Sequence, residues 1–231
     1  MKHTPIIFTP ENVIKSRNGI KTMTRRIVKH PEYFGCLTGD CPHQEQATCD
    51  RAISHFALTE CPYGQVGDVL WVKERWCPRI VHHCNYTGGV CDCDDVEVIY
   101  AADDEGTYFS GKSIPSDWTI PKTAKQGNVS PLFMPRWASR LSLKITEIRV
   151  ERVQDISEED ARREGCDKEQ TDEDRRAEVD MHGTGYCTPP WDFTYRNGFE
   201  RIWKQINSLE SWKRNDWTWV LGYQRIDGRL V

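Results

Sequence analysis

The sequence predicts an α+β chain, a small mixed β-barrel with peripheral helices and polar, Cys-rich insertions. Three observations carry this. Hydrophobic residues are 38% and charged residues 29% of the 231 positions, so a modest core bears long polar additions. Leu141, Leu143 and Ile145 alternate with Ser142, Lys144 and Thr146, the period of a half-buried strand. The apolar segments run strand, short helix, several strands, helix, final strand, an order that suits a small closed sheet flanked by helices. One elaborated domain over 1–231 is expected, with insertions at 30–61, 77–95 and 166–190.

In chain order, Pro5-Ile6-Ile7-Phe8-Thr9 reads as a first strand. Thr9 can cap a helix whose first position suits Pro10, and Asn18-Gly19 ends it. A strand over Lys21–Val28 follows, then a polar loop over 30–61. Gly67-Asp68 turns into a strand carrying Val69, Leu70, Trp71 and Val72. Val96–Ala101 is the next strand, closed by the acidic turn Asp103-Asp104-Glu105-Gly106. Residues 110–131 read as a long loop around Trp118, of the kind that often carries function. After the alternating strand, a further strand holds Ile148, Val150 and Val153. Ser157 starts a short helix with Glu158, Glu159 and Asp160 in its first turn, where acids suit the helix dipole. Glu164 falls in its last turn, where a carboxylate is disfavoured, and this suggests that it is held for another reason. The acidic stretch 166–190 reads as a flexible insertion. Phe193–Ile206 forms an amphipathic helix with Phe199, Ile202, Trp203 and Ile206 on one face, a core pattern. Trp217–Tyr223 is the closing strand.

The formal net charge of -4 gives no global attraction to nucleic acid, so any such binding must come from a local basic patch. The opening Met-Lys-His-Thr-Pro lacks the apolar centre of a signal peptide, and no apolar run reaches membrane-spanning length. A cytoplasmic protein is expected. Walker, Gly-x-Ser-x-Gly and dinucleotide-binding motifs are absent from the sequence.

In a reducing cytosol, the ten cysteines point first to metal. Cys36, Cys41, His43, Cys49 and Cys61 follow the spacing C-x4-C-x-H-x5-C-x11-C, which matches no regular zinc-finger template. A Zn2+ held by Cys36, Cys41, Cys49 and Cys61 would organise a loop that has no core of its own. Cys77, His82, His83, Cys84, Cys91 and Cys93 form a second cluster, either a second site or part of the same one. His43, Cys77, Cys84, Cys91 and Cys93 are therefore alternative ligands. The competing reading is a set of plain thiols.

Lys21-Thr22-Met23-Thr24-Arg25-Arg26 packs two hydroxyls and three cations into six residues. On a strand, Thr22, Thr24 and Arg26 share one face and Lys21, Met23 and Arg25 the other. Adjacent Lys and Thr can be a nucleophile with its activator or a phosphate clamp; they can equally be a solvated edge strand. Arg25, Arg26, Lys29, Arg136, Arg140 and Lys144 are candidates for a basic cleft. Trp137 and Trp71 can stack a base or fill a core.

Gly19-x-Lys21-Thr22-x-Thr24-x-Arg26, Gly67-Asp68-Val69-Leu70, the Ser157–Gly165 helix after a strand and the aromatic closing strand together resemble the ASCH domain. That family has the PUA-like β-barrel fold. Thr22–Arg26, Gly67–Val72, Met134–Arg140 and Trp217–Val220 look more closely like ASCH proteins encoded in tailed phages and prophages, so the resemblance places the chain in a bacterial host cytosol. It implies binding of RNA or a modified nucleoside through Thr22, Arg25, Arg26, Arg136, Trp137 and Arg140. One branch of the family hydrolyses N4-acetylcytidine. Its catalytic Lys, Thr and Glu fall on Lys21, Thr24 and Glu164 here. In that alternative Lys21 acts as base, Thr24 as nucleophile and Glu164 as proton donor to the leaving amine. Because Lys21 and Thr24 lie on opposite faces of a regular strand, the hydrolase needs a bulge or twist between them. An RNA nuclease and a non-catalytic phage accessory factor remain further alternatives. The Cys-rich insertions have no counterpart in the small amidohydrolases.

Overall fold

The computed structural model describes residues 1–29, 31, 35–38, 46–85, 88, 90–91, 93–171 and 193–226. The strands are β1 (His3–Ile7), β2 (Met23–Ile27), β3 (Val69–Lys73), β4 (Trp76–Val81), β5 (Asp95–Tyr100), β6 (Gly106–Ser110), β7 (Ser142–Arg152) and β8 (Trp217–Ile226). The helices are α1 (Pro10–Arg17), α2 (Gly35–Thr38), α3 (Gln46–Thr59), α4 (Glu158–Arg163), α5 (Tyr195–Asn207) and α6 (Leu209–Lys213). No described helix is long and apolar enough to cross a membrane. The α+β class is as expected.

The chain divides into two compact units, each discontinuous in sequence. The first comprises Met1–Gly19, Gly67–Lys144 and Gln224–Val231. In it β1 runs parallel to β3, with Ile6 opposite Val72, and β3 runs antiparallel to the first residues of β7, with Leu70 opposite Leu143. Thr9 caps α1 by accepting from the Asn12 N–H, and Pro10 takes the first turn, where its missing N–H costs nothing. A second antiparallel sheet has the order β4-β5-β6. Its core is Trp76, Val96, Val98, Tyr100 and Phe109, closed by Ile114, Val129, Met134 and Ala138.

The second unit comprises Ile20–Val66 and Ile145–Tyr223. Here the rest of β7 lies beside β8, and β8 pairs antiparallel with β2, setting Thr24 opposite Leu221. Its core joins Val153, Ile156, Ala161 and Cys166 to Phe199 and Trp203 of α5. Phe199 and Trp203 are buried as their spacing predicts, but Ile206, in the last turn of α5, is 61% exposed.

Several expectations change. The sheets do not close into a barrel: β1 pairs with β3 alone and β2 with β8 alone among the described strands, and a barrel needs every strand paired on both sides. The loop expected over 30–61 contains the 14-residue helix α3, held by Phe56 stacking on Trp219 at 5.1 Å and by burial of Ala57. The insertion at 77–95 begins inside β4, and a strand not expected from the sequence, β6, lies between the acidic turn and the long loop, which is irregular chain with short 3-10 turns over 111–131. The two expected strands after Leu141 are one continuous strand, β7. Of the acidic insertion, 166–171 are described: Cys166 is buried and Glu169 bridges Thr194; residues 172–192 lie outside the described residues.

Candidate functional site

In the second unit, α4 and β2 bring opposite charges together out of water. Ser157 caps α4 by accepting from the Asp160 N–H, and Gly165 leaves the helix at φ 78°, a conformation that favours glycine. This leaves Glu164 as the C-cap, 7% exposed. Lys21, just before β2, donates from Nζ to Glu164 Oε2 at 2.6 Å and to the Glu164 carbonyl at 2.7 Å. One ammonium thus satisfies both a helix-end carbonyl and the carboxylate that the helix dipole disfavours there. Arg25 Nη2 donates to Glu151 at 3.1 Å and Asp160 at 3.0 Å, and its Nη1 lies 3.6 Å from Glu164 Oε1. Arg149 adds a bond to Asp160 at 2.8 Å. Burial pushes the Asp160 carboxyl up, but the hydrogen bonds from Arg149 and Arg25 outweigh it and hold the group below the usual carboxylate range.

Thr24 does not join this network. Arg25 faces α4, so strand alternation sends Thr24 and Arg26 to the other face of β2. Arg26 lies opposite Trp219, whose ring stacks on Phe56 of α3, so this is the face that α3 covers. Thr22 contributes backbone: its N–H donates to the Arg163 carbonyl at 2.8 Å and its carbonyl accepts from Tyr223 at 2.9 Å. The structure therefore brings Lys21, Arg25 and Glu164 together, while strand alternation assigns Thr24 to the other face of β2.

In the first unit, Arg140 makes paired hydrogen bonds to Glu74 at 2.8 and 2.9 Å, reaches Asp103 and Glu105 at 3.0 Å, and lies 4.0 Å from the Tyr100 ring centroid. Burial raises the Glu74 carboxyl above its ordinary range although Arg140 opposes this. Arg136 Nη2 lies 2.8 Å from His3 Nδ1. Trp71 is half-buried, with Lys73 Nζ 5.5 Å from its ring centroid.

Trp137 lines a cavity of about 630 Å³ together with Trp118, Phe133, Pro115, Pro121 and Pro135; Lys122 and Asp117 supply the charge. Trp118 meets Trp137 nearly perpendicularly, at 5.1 Å and 89°. Phe109 meets Trp137 edge-on, at 5.0 Å and 74°. Phe133 is 62% exposed. The result is a firm aromatic surface with one mobile-length cation, Lys122, able to reach an anion beside it.

The thiols also gather. One ligand atom each from Cys84, Cys91, Cys93 and Asp94 all lie within 4.8 Å of one another, a group that could hold a metal ion. Hydrogen bonding with Cys84 and Cys91 pushes the Cys93 thiol up to about 12. Cys77 is buried within β4 and stands outside the group. Of the set expected to bind first, Cys49 and Cys61 are described thiols; Cys41, His43 and the side chain of Cys36 lie outside the described residues.

Sequence reasoning missed Asp94 and Trp118 as site residues. Asp94 directly follows Cys93, a signal that could have marked it as a fourth ligand. Trp118 sits in irregular chain, where no periodicity marks a binding surface. No protein-family model, curated protein or solved structure matches this chain.

Proposed function

We propose that this chain is an ASCH-type, PUA-like domain of phage or prophage origin that binds RNA or a modified nucleoside. A nucleobase enters the cavity bounded by Trp118, Phe133 and Trp137, and Lys122 meets a neighbouring phosphate. The observation that carries this reading is the cavity itself. Its volume of about 630 Å³ falls in the usual range of small-ligand sites, roughly 300–1,000 Å³, and its walls are aromatic and proline faces. Flat apolar walls accept any base by stacking, worth about 1–3 kcal/mol per base. Arg140 is spent on Glu74, Asp103 and Glu105, so the recognition proposed here relies on stacking more than on a broad basic cleft.

Calorimetric titration with short single-stranded RNAs and with free nucleosides, at two salt concentrations, tests this. Trp118→Ala should weaken binding by about tenfold or more, and Lys122→Ala should reduce the salt dependence by about one phosphate contact. Unchanged affinity in Trp118→Ala, or no binding by wild type, would refute it.

A second reading, an amidohydrolase of N4-acylated cytidine, is favoured by one observation. Lys21 and Glu164, 143 positions apart, meet at 2.6 Å as the resemblance to the amidohydrolase branch requires. Thr24, on the opposite face of β2, leaves that pair without the expected nucleophile. The binding reading therefore expects no cytidine when the protein is incubated with N4-acetylcytidine. Turnover that Thr24→Ala abolishes would establish the hydrolase instead.

A further inference from the structure

We infer that Cys84, Cys91, Cys93 and Asp94 form a tetrahedral site for a thiophilic divalent cation, with Zn2+ the expected occupant, and that the bound ion braces one wall of the aromatic cavity. The second clause rests on the proposed function; the first stands without it.

The donor set suits the ion. Thiolates with one carboxylate select Zn2+ over the hard cations that prefer all-oxygen sites. At a Zn–S length of about 2.3 Å, tetrahedral geometry sets ligand atoms roughly 3.8 Å apart. Cys84 Sγ and Cys91 Sγ lie 3.4 Å apart, and the whole group spans no more than 4.8 Å. Small side-chain rotations close that difference. The sulfurs are thiols and not a disulfide.

Asp94 supplies an independent indication. Its side chain is fully buried. Oδ2 accepts from the Cys91 N–H at 3.1 Å and lies 3.1 Å from His82 Nδ1. Oδ1 is buried with no hydrogen-bond partner among the described residues. A buried carboxylate oxygen without a partner is costly, and a cation removes that cost. His82 then occupies the place of an outer partner that orients a ligating carboxylate.

The brace follows from the backbone. The Gly111 N–H donates to the Asp94 carbonyl at 2.5 Å. A Cβ at position 111 would lie 2.1 Å from the Cys91 carbonyl oxygen and 2.7 Å from that of Asp94, so residue 111 must be glycine for the two segments to touch. Gly111 opens the 3-10 turn Gly111–Ser113; the buried Ile114 follows, then Pro115, Asp117 and Trp118 of the cavity wall. Fixing Cys91 and Asp94 on an ion thereby fixes the origin of that wall.

The test is metal analysis of full-length protein purified without added metal, followed by chelation and titration with Zn2+ and with Co2+. One equivalent of metal is expected, with a tetrahedral thiolate–Co2+ absorption spectrum. Cys93→Ser and Asp94→Asn should each lower Zn2+ affinity at least tenfold, while Cys49→Ser and Cys61→Ser should not. Cys93 is exposed, so its serine variant is expected to keep the fold. A metal-free protein that takes up no Zn2+, metal lost with Cys49→Ser but kept with Cys93→Ser, or a Cys84–Cys91 disulfide in the reduced preparation would each overturn the site. Chelation should weaken nucleobase binding in the cavity. Metal binding with unaltered cavity affinity would overturn the brace alone; metal binding with no nucleobase binding at all would overturn the proposed function and leave the site standing.

Discussion

Replacing Lys21 with methionine removes the partner of a carboxylate that has little other compensation. The Lys21 and Glu164 side chains are 4% and 6% exposed, so water cannot replace what is lost. The substitution deletes the bonds at 2.6 Å to Oε2 and 2.7 Å to the Glu164 carbonyl. It leaves Arg25 Nη1, at 3.6 Å from Oε1, as the nearest cation recorded for that group. Breaking a buried pair from one side costs about 3–5 kcal/mol, whereas removing both charges and filling the space is close to neutral. Lys21→Met should therefore destabilise by about 3–5 kcal/mol. The double variant Lys21→Met/Glu164→Leu should recover most of this, so that the double costs less than either single variant and the coupling in the mutant cycle exceeds the cost of Lys21→Met alone. Urea unfolding followed by circular dichroism measures both, with hydrogen exchange at the β2 amides locating the change in the second unit. A cost for Lys21→Met below about 1 kcal/mol, the value of a solvated surface pair, would refute the reasoning.

Three further outcomes follow from the geometry. Because Asp160 titrates below its ordinary value in the folded chain, its contribution is fully present above the unfolded carboxyl range and disappears as pH falls through the lower folded value. Acid unfolding should accordingly be steeper in wild type than in Asp160→Asn, and parallel acid limbs would contradict the assignment. Arg140→Met strands the buried Glu74; burial already raises that carboxyl, so the variant's deficit of about 3–5 kcal/mol at neutral pH should shrink on acidification, as thermal melts across pH will show. Gly198→Ala would place a Cβ 2.0 Å from the Asp167 carbonyl oxygen, and should cost about 1–3 kcal/mol in urea unfolding despite the better helix propensity of alanine.

Capped or regularly alternating elements were readable in the sequence. Thr9-Pro10, Ser157 with its three following acids, and the Leu141–Ile145 alternation each mark their element because the local chemistry and the final packing agree. Others were hidden for physical reasons. Pro78 argues against a strand, yet β4 lies at the edge of its sheet, where a missing N–H is tolerated. Within α3, Cys49, Asp50, Ser54 and His55 mask a buried face that becomes apparent only when Phe56 meets Trp219. The meeting of Lys21 with Glu164 was anticipated from motif resemblance; the separation of Thr24 was implicit in strand period. The aromatic cavity was half readable. Trp137 stood out beside two arginines, but Trp118, Phe133 and their prolines come together through irregular chain that carries no repeating pattern.

Photo-crosslinking locates the ligand on the chain and so bears most directly on the proposed function. A short RNA containing 4-thiouridine is bound to the full-length protein, irradiated and mapped by peptide mass spectrometry. Crosslinks within 115–137, competed away by free nucleoside, are the expected result. Crosslinks confined to 21–29, or none above background, would contradict a base-binding cavity walled by Trp118 and Trp137.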